Sequence, residues 1–101
     1  MFESLPNSVH VFEVGPRDGL QNESALIATA DKIKLIEALA ATGLKDIEIT
    51  SFVSPKWIPQ LADGPELAKE LSTNSILIAQ PGLRTSALVP NLKGYQAACD
   101  A

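Results

Sequence analysis

The sequence predicts an α/β fold of three successive βα units with parallel strands, a sheet begun but not closed. Three observations carry this: β-rich runs occur three times, apolar residues at helical spacing fill the stretches between, and the links are short. Such alternation implies right-handed βαβ units on a parallel sheet. Three units do not finish an architecture. A closed eight-stranded barrel needs roughly 250 residues, and an open parallel sheet needs both faces covered. The outer edges of the first and third strands are expected to be unpaired, which invites association with another chain.

Residues 1–8 read as a lead-in, and Val9 to Val14 as the first strand. Gly15-Pro16 stops that strand, and residues 15–28 form a long connection holding Arg17, Asp18, Gln21, Asn22 and Glu23. A connection of that size in a compact domain is more often functional than accidental. Thr29 suits a helix N-cap, with Asp31 favouring the dipole in the first turn. Ile33, Ile36, Leu39 and Ala40 recur at helical spacing, Leu35 widens the apolar face, and Gly43 supplies the stop. A helix is expected over about 30–42.

Asp46 to Phe52 is the second strand, whose alternation sets Ile47 and Ile49 on one face and Glu48 and Thr50 on the other. Two prolines around Lys56-Trp57-Ile58 make residues 54–60 a structured loop. Asp63-Gly64-Pro65 opens a helix to about Leu71, proline being tolerated at the first helical position. Residues 72–84 read equally as helix or strand at Ile76-Leu77-Ile78. Thr85 to Val89 is the third strand, and a further helix begins at Lys93.

The bulk properties exclude several function classes. A chain of 101 residues has room for one domain, and 46% hydrophobic with 20% charged residues is a globular balance. A net charge of −4 argues against nucleic acid, which needs clustered Lys and Arg. Cys99 is the single cysteine, so an internal disulfide is excluded and a reducing compartment is favoured. No apolar run approaches the roughly 20 residues that span a bilayer, so no membrane partner is expected. A strand beginning near Val9 leaves no room for a targeting segment before it. The expected location is cytoplasmic.

Chemistry concentrates just past the first strand. Gly15-Pro16 and Gly19 bracket Arg17 and Asp18 beyond a strand end, where α/β sheets display functional groups. Asp18 is a hard oxygen donor suited to a divalent cation. Arg17 is a donor fork suited to a developing oxyanion. The plainer alternative for the pair is a solvated loop. Glu48, flanked by isoleucines in mid-strand, faces either solvent or a barrel interior, and burial would demand a partner. Arg17 is the nearest candidate in sequence. His10 is expected to be packed, Cys99 a small buried hydrophobe, and Trp57 a packing residue. Ser24 and Thr29 read as turn and cap residues, because no histidine follows to activate them.

Residues 14–23, Val-Gly-Pro-Arg-Asp-Gly-Leu-Gln-Asn-Glu, resemble the opening signature of the 3-hydroxy-3-methylglutaryl-CoA lyases. Lys32-Ile33-Lys34-Leu35-Ile36, the run from Ile47 through Ser54-Pro55-Lys56-Trp57-Ile58-Pro59-Gln60, and Val89-Pro90-Asn91-Leu92-Lys93-Gly94-Tyr95 fit the same family in order. The Leu-Gln-Asn-Glu and Ser-Pro-Lys-Trp-Ile-Pro-Gln continuations point to this branch rather than to the isopropylmalate or citramalate synthases.

The resemblance implies that residues 1–101 are the N-terminal part of a (β/α)8 TIM-barrel domain with its site at the C-terminal ends of the strands. It implies cleavage of 3-hydroxy-3-methylglutaryl-CoA to acetyl-CoA and acetoacetate, as in leucine and ketone-body catabolism, with Mg²⁺ or Mn²⁺. Asp18 is then a metal ligand, and Arg17 stabilises the enolate at the thioester carbonyl. Glu48 holds Arg17, and Gln21 is a polar contact to substrate or to water on the metal. The family's His-x-His pair, its asparagine ligand and its loop cysteine have no counterparts here, and Cys99 lies on the wrong element. The 101 residues alone are expected to be inactive. The alternatives are a binding or oligomerisation module reusing half the barrel, which leaves room for a homo-oligomer, or a related acyl-CoA lyase or synthase.

Overall fold

The computed structural model describes residues 4–101, so the first three residues of the lead-in lie outside the described residues. Three parallel strands form one sheet in the order β1 (Phe12–Glu13), β2 (Asp46–Ser51), β3 (Arg84–Leu88). Between them lie α1 (Thr29–Ala40), α2 (Gly64–Ser72) and the single turn α3 (Ser75–Ile78), and α4 (Leu92–Asp100) follows β3. The expected succession of three βα units is the one observed.

The core lies between β2 and its helices. Ile36 and Ala40 of α1, Ile47 and Ile49 of β2, Leu67 and Leu71 of α2, and Leu77 of α3 form one buried cluster. Ile36 and Ala40 sit four residues apart, which stacks them on one helix face. Each fully buried aliphatic side chain contributes about 1.5–3 kcal/mol, so this cluster holds the helices to the sheet. Two glycines bring helix backbones close to β2. A Cβ at Gly64 would sit 3.3 Å from the Ser51 carbonyl oxygen and 3.3 Å from Thr50 Oγ1, and one at Gly94 would run into the Phe52 carbonyl oxygen.

The sheet departs from the sequence reading at its edge and in its register. Among the described residues β1 pairs with β2 through Phe12 and Glu13, opposite Asp46 and Ile47, and Val9 and Val11 stand exposed outside the ladder. An edge strand has a single neighbour to define it, which shortens β1 from the expected 9–14. The β2–β3 register shifts between Glu48 and Thr50. A shift of this kind breaks strict alternation, and Thr50, expected beside Glu48, is fully buried with its hydroxyl next to Gly64.

The stretch 72–84 resolves as helix at Ile76-Leu77-Ile78, because the Asn74 side chain caps the amides of Ile76 and Leu77. α1 starts one residue early, at Thr29, with Ala28 in the cap position and no side-chain cap. The Thr29 hydroxyl donates to Asp63 Oδ2 instead, at 2.6 Å.

The face of β2 turned away from the helices is polar. Asp46 accepts from Arg84 Nε at 3.0 Å and Nη2 at 3.3 Å, joining the starts of β2 and β3. Glu48 lies two residues further along, in register with Ser86. The expectation that His10 is packed fails: its ring is open to solvent and sits 3.7 Å from Asp46. Trp57 is 83% exposed and Cys99 is exposed, against the packing expected of both.

Candidate functional site

Gly15-Pro16 ends β1 and starts a wide helical turn over Gly15–Gly19 rather than an open loop. The amides of Arg17 and Asp18 both bond the Val14 carbonyl, at 3.1 and 2.7 Å, and the Leu20 amide reaches back to Arg17 and Gly15. Pro16 is buried beneath the turn. Proline fixes φ and needs no donor partner there, so the turn is anchored at its base while Arg17 and Asp18 project from it.

Arg17 crosses from the end of β1 to β2, where its Nε donates to Glu48 Oε1. Both side chains are mostly shielded, at 20% and 14% exposure. The pair answers the cost of placing a carboxylate in mid-strand, because a charge-assisted bond offsets the desolvation. Arg17 Nη1 lies 3.5 Å from Asp18 Oδ1, so one guanidinium spans both carboxylates. Asp18 is exposed on its outer side, and its carbonyl accepts from Asn22 Nδ2 at 3.1 Å.

With its Nε donating to Glu48 and its Nη1 turned to Asp18, the Arg17 fork is held by two carboxylates just past the end of β1. Such an arrangement suits recognition of an oxyanion. Asp18 offers one hard oxygen donor, which fits part of a Mg²⁺ or Mn²⁺ shell. Among the described residues no group of three His, Cys, Asp or Glu side chains converges. Gln21 is not among the hydrogen-bond partners found for Arg17 or Glu48. It lines a groove of about 340 Å³ between its own turn and the Trp57–Gln60 segment. A cavity of about 260 Å³ where β2 ends against α2 and α4 contains none of the four expected residues.

One arrangement escaped the sequence reading. Lys32 is almost sealed from water, donating to Asp63 Oδ1 at 2.6 Å and to the Gln60 carbonyl at 2.5 Å. The Gln60 carboxamide accepts from the Ile27 amide at 2.9 Å and donates to the carbonyls of Ala25 at 2.6 Å and Glu23 at 3.3 Å. Thr29 completes the group through Asp63. A signal for it was present: Lys32, Ile36 and Ala40 lie on one i, i+4, i+8 line, which sets a lysine on the buried stripe of α1.

A family profile described as HMGL-like matches residues 8–82. The mitochondrial hydroxymethylglutaryl-CoA lyase of Macaca fascicularis is 50% identical over 99 residues, covering 98% of this chain and 29% of the relative. The 3-hydroxy-3-isohexenylglutaryl-CoA/hydroxy-methylglutaryl-CoA lyase of Pseudomonas aeruginosa is 49% identical over 98 residues, covering 97% and 31%. Among solved structures, hydroxymethylglutaryl-CoA lyase from Pseudomonas aeruginosa superposes with a TM-score of 0.81 at 50% identity, over 95% of this chain and 30% of that one. An HMG-CoA lyase from Acinetobacter baumannii, in complex with coenzyme A and 3-methylmalate, gives 0.78 at 42% identity, over 90% and 28%. The chain thus spans 29% and 31% of the length of the two curated relatives.

Proposed function

Because this chain belongs to the HMGL-like family, we propose that it supplies the first three βα units, and half of the active site, of a hydroxymethylglutaryl-CoA lyase. The observation that carries the reading is Arg17 held by Glu48 across β1 and β2, with Asp18 beside it. Residues 1–101 are then one part of a barrel domain whose further strands pair on the free edges of β1 and β3.

In this reading the substrate is 3-hydroxy-3-methylglutaryl-CoA. The carbon–carbon bond between the hydroxyl-bearing carbon and the thioester's α-carbon breaks, acetoacetate leaves, and the electron pair passes to the thioester oxygen as an enolate. The free N–H groups of Arg17 meet that oxygen as charge develops, which is where a preorganised donor lowers the barrier. Glu48 fixes the guanidinium so that no reorganisation is needed at that moment. Asp18 would be one ligand of a Mg²⁺ or Mn²⁺ ion, which when bound would supply Lewis acidity toward the substrate oxygens. Gln21, on the groove rim, contacts the polar end of the substrate. The remaining ligands, the base that takes the hydroxyl proton and the acid that protonates the enolate carbon to give acetyl-CoA come from outside these residues, so the chain alone is inactive. On this reading the reaction belongs to leucine and ketone-body catabolism. The single cysteine supports a reducing location such as the cytoplasm.

The test is a fusion of residues 1–101 to the complementary part of the Pseudomonas aeruginosa lyase. We expect Mn²⁺-dependent acetyl-CoA release from 3-hydroxy-3-methylglutaryl-CoA by the fusion and none by the short chain. Asp18→Ala in the fusion should abolish it. A folded fusion that is inactive, or one indifferent to Asp18→Ala, would refute the proposal.

A further inference from the structure

We propose that Gln60 is a positioning residue, clamping through its carboxamide the backbone that follows Asp18 and so fixing the turn that presents Arg17 to Glu48. The proposal rests on the lyase reading for what that turn does, but not for how it is held.

A buried carboxamide has two donors and an acceptor to satisfy. Gln60 is 7% exposed and spends all three on main chain from one segment: Glu23, Ala25 and Ile27. None of those backbone groups is in a helix or strand ladder, so the side chain stands in for secondary structure across 23–27. The connection to the site then runs through consecutive hydrogen bonds. The Glu23 amide bonds the Leu20 carbonyl at 3.1 Å, and the Leu20 amide bonds Arg17 and Gly15. Asn22 Nδ2 holds the Asp18 carbonyl. The coil from Gly15 to Glu23 is therefore fixed at one end by buried Pro16 and at the other by Gln60. Gln60 is itself tied down, because Lys32 grips its carbonyl and Asp63 grips Lys32. A residue 43 positions from Arg17 in sequence thereby sets where Arg17 stands.

The experiment is hydrogen exchange by NMR on the 101-residue chain, reading the Ile27 amide, the Arg17 Nε–H and the core amides of Ile36, Ile47 and Leu67. In Gln60→Met, similar in size but without polar groups, we expect the Ile27 amide and the Arg17 Nε–H both to exchange about tenfold faster or more, with the core unchanged. Gln60→Glu keeps an acceptor for Ile27 but loses the donors to Glu23 and Ala25. It should retain Ile27 protection while the Arg17 Nε–H still speeds up. An Arg17 Nε–H that does not respond in either variant would overturn the proposal. So would acceleration spread equally over the core, which would make Gln60 a support of the whole fold. Neither outcome depends on turnover, so an inactive fusion and a failed clamp are separable results.

Discussion

Arg17→Lys in the fused barrel is expected to lower kcat for cleavage about 10²- to 10³-fold, with KM little changed. Lysine keeps the charge but loses the fork, and the fork has two duties at once. Its Nε is committed to Glu48 while its Nη1 faces Asp18. A single ammonium cannot hold Glu48 and also meet an oxyanion at a fixed angle. An interaction made mainly in the transition state shows in kcat rather than in KM. Steady-state kinetics of the folded variant decide it. Near-parental kcat would mean that charge alone suffices and that Glu48 positions nothing of consequence.

Lys32→Met is expected to remove about 3–5 kcal/mol of stability, the usual cost of taking one partner from a buried pair. Lys32 satisfies both the Asp63 carboxylate and the Gln60 carbonyl, and methionine satisfies neither. Domains have only about 5–15 kcal/mol in hand, so the variant should be largely unfolded under mild denaturant. Lys32→Met combined with Asp63→Leu should recover part of the loss, because no carboxylate then remains unpaired. Urea unfolding followed by circular dichroism measures both. An unchanged midpoint in the single variant would show that water reaches Asp63 freely and that the pair carries no weight.

The sequence made the central layer legible because local pattern and tertiary role agree there. Ile33, Ile36, Leu39 and Ala40 marked α1, Pro65 marked the start of α2, and alternating isoleucines marked β2. Glu48 was legible as an anomaly, and its partner was the charged side chain nearest beyond the neighbouring strand. The rest was hidden wherever an outcome depended on what lies alongside. Val9 and Val11 are β-formers with no ladder to join. Trp57 and Cys99 are apolar residues that stand exposed among the described residues. The turn over 15–19 is set by how Pro16 packs, which spacing does not encode. The grip of Lys32 and Gln60 spans 28 to 37 residues and joins polar groups that, read singly, belong on a solvated face.

The two ends of the sheet differ in how they meet dissolved salt. The pair that joins β2 and β3 at their start uses Arg84, whose side chain is 69% exposed. Mobile ions reach it, and its attraction fades as the Debye length shortens from about 10 Å at 0.1 M to about 3 Å at 1 M. Lys32, 2% exposed, is out of their reach, and the Gln60 carboxamide carries no charge to screen. The end of the sheet bearing Arg17 and Asp18 therefore keeps its shape across ionic strengths that loosen the opposite end.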